Sequence, residues 1–175
     1  GAGIRCVAEA QESGSPPVLL QMIRDDAVHE ELKLSDQQKS GIRSALRGVD
    51  GPWFRSRNLE LRTREAEIRK LRGQLDAKLQ AILNVSQQKR LLQLQYQALG
   101  TRMLLRDDVA TGLELSKQQR ETLASAFQAT DKAISQLSGQ DGGTQQREKL
   151  KQQELAVVNE ELTDPQERRL GVLTG

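Results

Sequence analysis

The chain has 175 residues, of which 2% are aromatic and 29% are charged. Large sheets draw on aromatic and β-branched residues, whereas Leu, Ala, Gln, Glu, Lys and Arg favour helices, so the composition predicts an all-α fold with a thin core. The net charge of +2 does not call for a polyanionic partner, and no apolar run approaches the roughly 20 residues of a transmembrane helix.

The first segment, residues 1–17, is predicted to be a disordered tail because its second half is rich in Gly, Ser and Pro. Within it, Ala8-Glu9-Ala10 has the small-x-small form of a signal-peptidase site, but no apolar segment stands before it. Export through a signal peptide and a simple tail therefore both stay open. Cys6 is the single cysteine, which excludes an internal disulfide and a multi-cysteine metal site.

The first helices are short. An amphipathic stretch begins at Val18, and Asp25-Asp26 is predicted to cap a helix over 27–32. A longer helix should then run to about Arg47, where the Gly- and Pro-containing residues 48–52 predict a turn. Trp53-Phe54 follows directly, and we expect this aromatic pair to anchor the turn against a neighbouring helix.

A long helix is predicted from about Asn58 to Leu83, because its apolar residues recur at spacings of three, four and seven. These seam residues are Leu61, Ile68, Leu71, Leu75, Leu79 and Ile82. A further helix over 85–99 should begin at the Asn84 cap and end before Gly100.

One five-residue pattern occurs four times: Leu, then Ser, Thr or Asn, then Gln three residues after the hydroxyl or amide residue. It predicts a capping box, in which the cap side chain accepts a backbone N–H and the Gln side chain accepts the N–H of the cap. The motif residues are Leu34, Ser35, Gln38, Leu83, Asn84, Gln87, Leu115, Ser116, Gln119, Leu162, Thr163 and Gln166. Eight residues after each motif Leu stands Ile42, Leu91, Leu123 or Leu170, and we expect each such pair to face the core.

The chain also repeats internally. At a shift of 81 residues, 22–45 and 103–126 share ten identities in 24 ungapped positions, and a fainter match at a shift of 79 relates 70–91 to 149–170. The prediction is two tandem pseudo-symmetric units of long helical hairpins, 18–100 and 101–175. The predicted hairpin turns, 48–52 and 138–143, do not align, so their tips should differ.

This use of Leu-Thr-x-x-Gln motifs in a Gln- and Arg-rich helical chain resembles the Spy/CpxP group of periplasmic chaperones and envelope-stress adaptors. The likeness rests on the motifs and the layout, and only Leu162 to Gln166 keeps the full form. It implies bent helical hairpins whose two units are clasped into a cradle, here as an intrachain pseudo-dimer. It also implies a location in the bacterial periplasm and ATP-independent binding of unfolded proteins. The motif does not contain the client-contacting residues of that group.

A basic run is the candidate binding surface for a client or an anionic partner; it comprises Arg55, Arg57, Arg62, Arg64, Arg69, Lys70 and Arg72. Glu60, Glu65 and Glu67 interrupt it, so a solvated helix with ion pairs four residues apart is the other interpretation. Nucleic acid is not an expected partner, because only Trp53-Phe54 could stack near the run and no recognition motif is present.

The remaining polar residues do not predict catalysis. His29 is the only histidine and is expected to be exposed on a helix, so no metal site and no cofactor are predicted. Asp25-Asp26 and Asp107-Asp108 precede short helices and are interpreted as caps, and the motif Ser and Thr residues are caps without a nearby base. We therefore expect no enzyme.

Three functions stay open on these grounds. The first is ATP-independent, chaperone-like binding of unfolded or partner proteins in the cell envelope. The second is a stress or metal-responsive adaptor for one specific partner, and the third is a structural helical scaffold. Further homodimerisation is compatible with each. Rescue of unrelated aggregating proteins distinguishes the first from the other two.

Overall fold

In this computed structural model the described residues are 18–137 and 143–175, and their regular structure is helical throughout, without a strand. The predicted all-α class is therefore confirmed. The expectations for the tail, the signal-peptidase site, Cys6 and most of the second turn lie outside the described residues. The helices are α1 (Val18–Met22), α2 (Asp26–Glu31), α3 (Asp36–Ser56), α4 (Leu61–Ile82), α5 (Val85–Leu99), a 3-10 helix (Gly100–Leu105), α6 (Asp107–Gly112), α7 (Lys117–Gln136), α8 (Gly143–Glu161) and α9 (Asp164–Thr174).

The helices form two compact units, which we call the N-terminal unit (residues 18–98) and the C-terminal unit (residues 99–175). In the N-terminal unit α3 packs against α4 as a helical hairpin, and in the C-terminal unit α7 packs against α8 in the same way. Gly100 follows α5 with φ +57°, a left-handed conformation that ends an α-helix and that glycine adopts at low cost.

The core of the N-terminal unit is aliphatic. It gathers apolar side chains from α1, α3, α4 and α5 around Leu75, which is 1% exposed. The predicted seam of α4 is confirmed at its four middle positions, Ile68, Leu71, Leu75 and Leu79. Leu61 was expected to join them and does not: it is the first residue of α4, directly after the turn that closes the hairpin, and is 59% exposed.

The predicted turn at 48–52 is wrong, because α3 continues through Pro52 to Ser56. Val49 and Ser56, which are 2% and 1% exposed, lie seven residues apart and so share the buried face of the helix. The Ser56 hydroxyl also donates to the Trp53 carbonyl at 2.7 Å. Burial on α4 outweighs the backbone hydrogen bond that proline cannot make. The chain turns instead at 57–60.

Replacing Pro52 by alanine is expected to stabilise the N-terminal unit by about 1–2 kcal/mol. Alanine restores the missing helix N–H and removes the steric conflict with the preceding turn, which together cost about 3 kcal/mol in a helix interior. Proline also restricts the unfolded chain, which returns part of that cost. Urea unfolding followed by circular dichroism measures the change, and a destabilised variant would contradict this account of the helix.

The aromatic pair beside Pro52 divides. Trp53 is half-buried and packs against the aliphatic core, as expected, but Phe54 is 65% exposed. Consecutive residues of a helix point about 100° apart, so both rings cannot face the same neighbour. Only Trp53 anchors this end of the hairpin.

The predicted caps form at the start of the four motif helices. Ser35, Asn84 and Ser116 side chains accept the N–H three residues on at 3.2, 2.9 and 3.1 Å. In each motif the Gln side-chain oxygen accepts the N–H of the cap residue at 3.0–3.1 Å, Thr163 included. Each motif Leu is buried, as expected, and so are its partners eight residues on except Leu170, which is half-buried.

Two other polar expectations need correction. Asp25 caps α2, accepting from the Ala27 N–H at 2.9 Å. α6 begins at Asp107, two residues earlier than expected, so its cap residue is Arg106, and Asp107 and Asp108 both lie in its first turn. His29 is not exposed: it is 7% exposed, and its Nε2 lies 2.7 Å from the Ile23 carbonyl oxygen. The ring ties α2 to the end of the preceding turn, where the carbonyl needs a donor.

The hairpin of the C-terminal unit is held differently from that of the N-terminal unit. On α7, Leu123 and Phe127 are fully buried, but α8 buries only Glu154 and Val158 and leaves Leu155 48% exposed. Burying one aliphatic side chain contributes about 1.5–3 kcal/mol, so the four buried aliphatic residues of α4 anchor that helix far more strongly. α8 depends on a polar contact, which is described below.

Candidate functional site

The surface that exposes both apolar and basic side chains lies where α3 meets α4. We call residues 54–62 the hairpin tip. Its apolar side chains are Phe54, Leu59 and Leu61, which are 65%, 42% and 59% exposed. Its exposed cations are Arg55, Arg57 and Arg62, against a single acid, Glu60. No other stretch of comparable length in the described residues exposes three large apolar side chains.

Local backbone bonds give the tip its shape. α3 ends in a tightening turn in which the N–H groups of Arg57, Asn58 and Leu59 donate to the carbonyls three residues earlier, at 3.1–3.4 Å. α4 then begins as the Arg64 N–H donates to the Glu60 carbonyl at 2.8 Å. Because these short bonds satisfy the backbone, the side chains of the tip are free to project outward.

Charge and ring meet directly at the tip. The Arg57 guanidinium carbon lies 5.2 Å from the centroid of the Phe54 ring, within the range of a cation–π contact. Such a contact contributes only about 0.5–1 kcal/mol at an exposed site, so the ring stays available to a partner. The tip therefore offers apolar area and long-range attraction to acidic groups at the same place.

The rest of the predicted basic run extends along α4 away from the tip. Arg69 and Lys70 are exposed there, and the Lys70 ammonium lies 3.7 Å from Glu67. Arg64 and Arg72 are half-buried, and Arg72 borders a small apolar crevice beside Trp53. The structure thus brings only Arg55, Arg57 and Arg62 together with exposed apolar residues. The sequence interpretation missed Leu59 and Leu61 as surface residues, because no local pattern distinguishes them from the core leucines.

The motif glutamines have a second role that the sequence interpretation did not include. In the N-terminal unit Gln38 and Gln87 exchange two hydrogen bonds, with Nε2 to Oε1 distances of 2.8 and 3.2 Å. Their Nε2 groups also donate to backbone carbonyls at helix ends, Gln38 to Ile82 and Gln87 to Leu32, at 3.0 and 3.1 Å. Each amide thus caps its own helix and satisfies the end of another.

The C-terminal unit contains the same paired amides. Gln119 and Gln166 exchange hydrogen bonds of 2.9 and 3.1 Å, and the Gln119 Nε2 group donates to the Glu161 carbonyl at 2.5 Å. Because these amides are committed to the fold, the motif residues do not form a binding surface. The signal that predicts the pairing is the occurrence of two identical capping boxes in one unit.

A partly buried ionic cluster joins α7, α8 and the 3-10 helix; its side chains Glu154, Arg102 and Asp131 are 7%, 22% and 43% exposed. The Arg102 guanidinium lies 2.6 Å from Asp131 and 3.0 Å from Glu154, and it stands 4.4 Å above the Phe127 ring. The Thr101 hydroxyl donates to the other Glu154 oxygen at 2.9 Å. The 3.0 Å contact joins Arg102 Nη1 and Glu154 Oε2 but lacks hydrogen-bond geometry. Neither of these two atoms has a hydrogen-bond partner within the described residues.

The cluster replaces a core leucine. At the shift of 79 residues that relates the two hairpins, Glu154 corresponds to Leu75, the central core residue of the N-terminal unit. Leu71 and Leu79 correspond to Leu150 and Val158, whereas the buried Ile68 corresponds to the exposed Arg147, so α8 has a charged residue at two of the four core positions of α4. The sequence carries this signal as a Glu at an apolar position of the seam.

The described residues hold no group of three His, Cys, Asp or Glu side chains that would bind a metal ion. Among the same residues, none of the helices combines the length and the apolar content that crossing a bilayer requires. No protein-family model, curated protein or solved structure matches the chain. The residues and their geometry therefore carry the functional argument.

Proposed function

We propose that this protein binds unfolded or partner proteins without ATP, as a non-enzymatic, chaperone-like protein of the bacterial cell envelope. The resemblance of its motifs to the Spy/CpxP group supports this proposal, as does the small-x-small sequence at Ala8-Glu9-Ala10 for export. The same proposal takes the two units as products of a tandem duplication, which the paired amides in each unit support.

The observation that carries the proposal is the hairpin tip. Unfolded chains present short apolar segments and scattered charges, and the tip offers Phe54, Leu59 and Leu61 beside three arginines. Apolar contact supplies binding energy, and the cations raise the rate of encounter with acidic segments. A surface this small binds weakly, which suits release of a client without a fuel molecule.

The test is suppression of light scattering by an aggregating, unrelated client protein, measured without ATP at low and at high salt. We expect the wild-type protein to suppress aggregation and the effect to weaken with salt, since screening removes the attraction of the arginines. The Phe54→Ser/Leu61→Ser variant should need about tenfold more protein for equal suppression, because about 1.4 kcal/mol of apolar contact is lost.

Two controls separate the tip from the remaining surface. Val85→Ser removes an apolar side chain that is 82% exposed elsewhere in the same unit, and Lys89→Gln removes an exposed charge. Both should leave suppression unchanged. No suppression by wild-type protein at molar excess would overturn the proposal, and capture of one saturable partner in its place would point to the adaptor.

A further inference from the structure

We propose that α8 is an exchangeable helix: it detaches while the rest of the C-terminal unit stays folded, and the surface it uncovers binds acidic amphipathic segments of client proteins. The detachment rests on the packing of the C-terminal unit alone. The client part rests on the function proposed above and adds to it a second contact surface with a defined ligand chemistry.

α8 is weakly attached to the rest of the C-terminal unit. Its buried side chains are Glu154 and Val158, whereas α4 places four aliphatic side chains in its core. A buried ion pair holds a helix less well than leucine does, because the cost of removing both charges from water offsets their attraction. The contact of Glu154 with Arg102 also lacks hydrogen-bond geometry. Helices with few buried apolar contacts open first.

The residues that contact Glu154 are held in place by elements other than α8. Arg102 is held from the α7 side by Asp131 at 2.6 Å and by the face of the Phe127 ring at 4.4 Å. Thr101, next to Arg102 on the 3-10 helix, donates its hydroxyl to the Glu154 carboxylate. When α8 leaves, a positioned guanidinium, a hydroxyl donor and an aromatic ring stay together on one surface.

These groups define the ligand. A carboxylate satisfies Arg102 and Thr101, and apolar side chains on either side of it would cover the apolar surface. α8 itself has this pattern, with Leu150, Glu154 and Val158 at four-residue spacing. The occupant is therefore a client segment with an aliphatic, acidic, aliphatic pattern at helical spacing. Its charge is complementary to Arg102, and a segment with Lys at the central position would be repelled.

Hydrogen exchange of the full chain under native conditions tests the detachment. Amides of α8 should exchange at least a hundredfold faster than those of α4. In the Arg102→Leu/Glu154→Leu variant, which restores the apolar core position, α8 exchange should slow at least tenfold. Arg90→Gln, which breaks an exposed pair with Glu31, should not change it. Equal protection of α8 and α4 in the wild type, or no slowing in the double variant, would overturn the proposal.

A labelled peptide of residues 143–161 tests the surface by fluorescence anisotropy. The peptide should bind the Glu154→Lys chain, whose own α8 is repelled by Arg102, at least tenfold more tightly than the wild-type chain, where α8 competes at high effective concentration. A peptide with Lys at the position of Glu154 should bind at least tenfold more weakly. Equal binding of the two peptides would overturn the surface.

The two proposals fail in different ways. If α8 exchanges and the peptide binds but no client is suppressed, the function proposed above is wrong, the client part falls with it, and the detachment stands. If suppression depends on the tip variant and α8 is as protected as α4, the function stands and the detachment is wrong. A dimer of the wild-type chain that the peptide dissociates would make a second copy the occupant and overturn the client part.

Discussion

Replacing Glu154 by alanine is expected to lower the free energy of unfolding of the C-terminal unit by about 3–5 kcal/mol. The carboxylate is buried, with Arg102 at 3.0 Å and the Thr101 hydroxyl at 2.9 Å, so its removal leaves a guanidinium partly out of water with one counter-charge fewer. Denaturant unfolding followed by circular dichroism measures this loss. Trp53, the only tryptophan, lies in the N-terminal unit, so its fluorescence reports that unit separately and should not change.

The matched control removes both charges. The Arg102→Leu/Glu154→Leu variant should be more stable than the wild type by about 1–4 kcal/mol, because apolar packing replaces two desolvated ions. Leucine is also the residue that the N-terminal unit uses at the corresponding position, Leu75. A double variant as unstable as Glu154→Ala would show that the pair stabilises the hairpin by more than its desolvation costs.

Replacing Gln38 by alanine is expected to cost the N-terminal unit about 2–4 kcal/mol, more than the roughly 1 kcal/mol of an ordinary cap. The side chain accepts from the Ser35 N–H, donates to the Ile82 carbonyl and exchanges two bonds with Gln87. Its loss removes these partners of the Ser35 N–H and the Ile82 carbonyl, and it leaves the Gln87 side chain with only its bonds to Asn84 and Leu32. Unfolding in urea followed by Trp53 fluorescence gives the change.

A double-mutant cycle separates the pairing from the caps. Gln38→Ala and Gln87→Ala together should cost about 1–2 kcal/mol less than the sum of the two single changes, because each single variant already breaks the shared bonds. Gln37→Ala changes an exposed neighbouring glutamine of the same motif and should stay within about 0.5 kcal/mol of wild type. Strict additivity would mean that the two amides act only as independent caps.

Local chemistry made much of the fold predictable. A cap residue and a Gln three positions later satisfy each other's N–H within one turn, so the starts of the motif helices follow from the sequence. The seam of α4 follows in the same way, since residues three and four apart share a face whatever packs against it. The residues of the basic run were likewise identified from the sequence.

The sequence did not predict that only part of the basic run lies at the hairpin tip, because the exposure of these side chains depends on where the hairpin turns. The turn was predicted at 48–52 and lies at 57–60, because burial of Val49 and Ser56 outweighs the local preference of Gly and Pro for a turn. The same argument explains His29, whose polar ring is buried because the Ile23 carbonyl needs a donor there.

The sequence alone determined the helical class, the four capped starts and the repeated pattern, because each depends on neighbours within about one helical turn or on comparison along the chain. Only the tertiary structure decided that the motif glutamines pair, that Arg102 meets Glu154, and that Leu59 and Leu61 lie beside arginines at an exposed tip. Those features are contacts between residues that are distant in the chain, or they depend on whether other elements cover a side chain. Local sequence preferences predict neither.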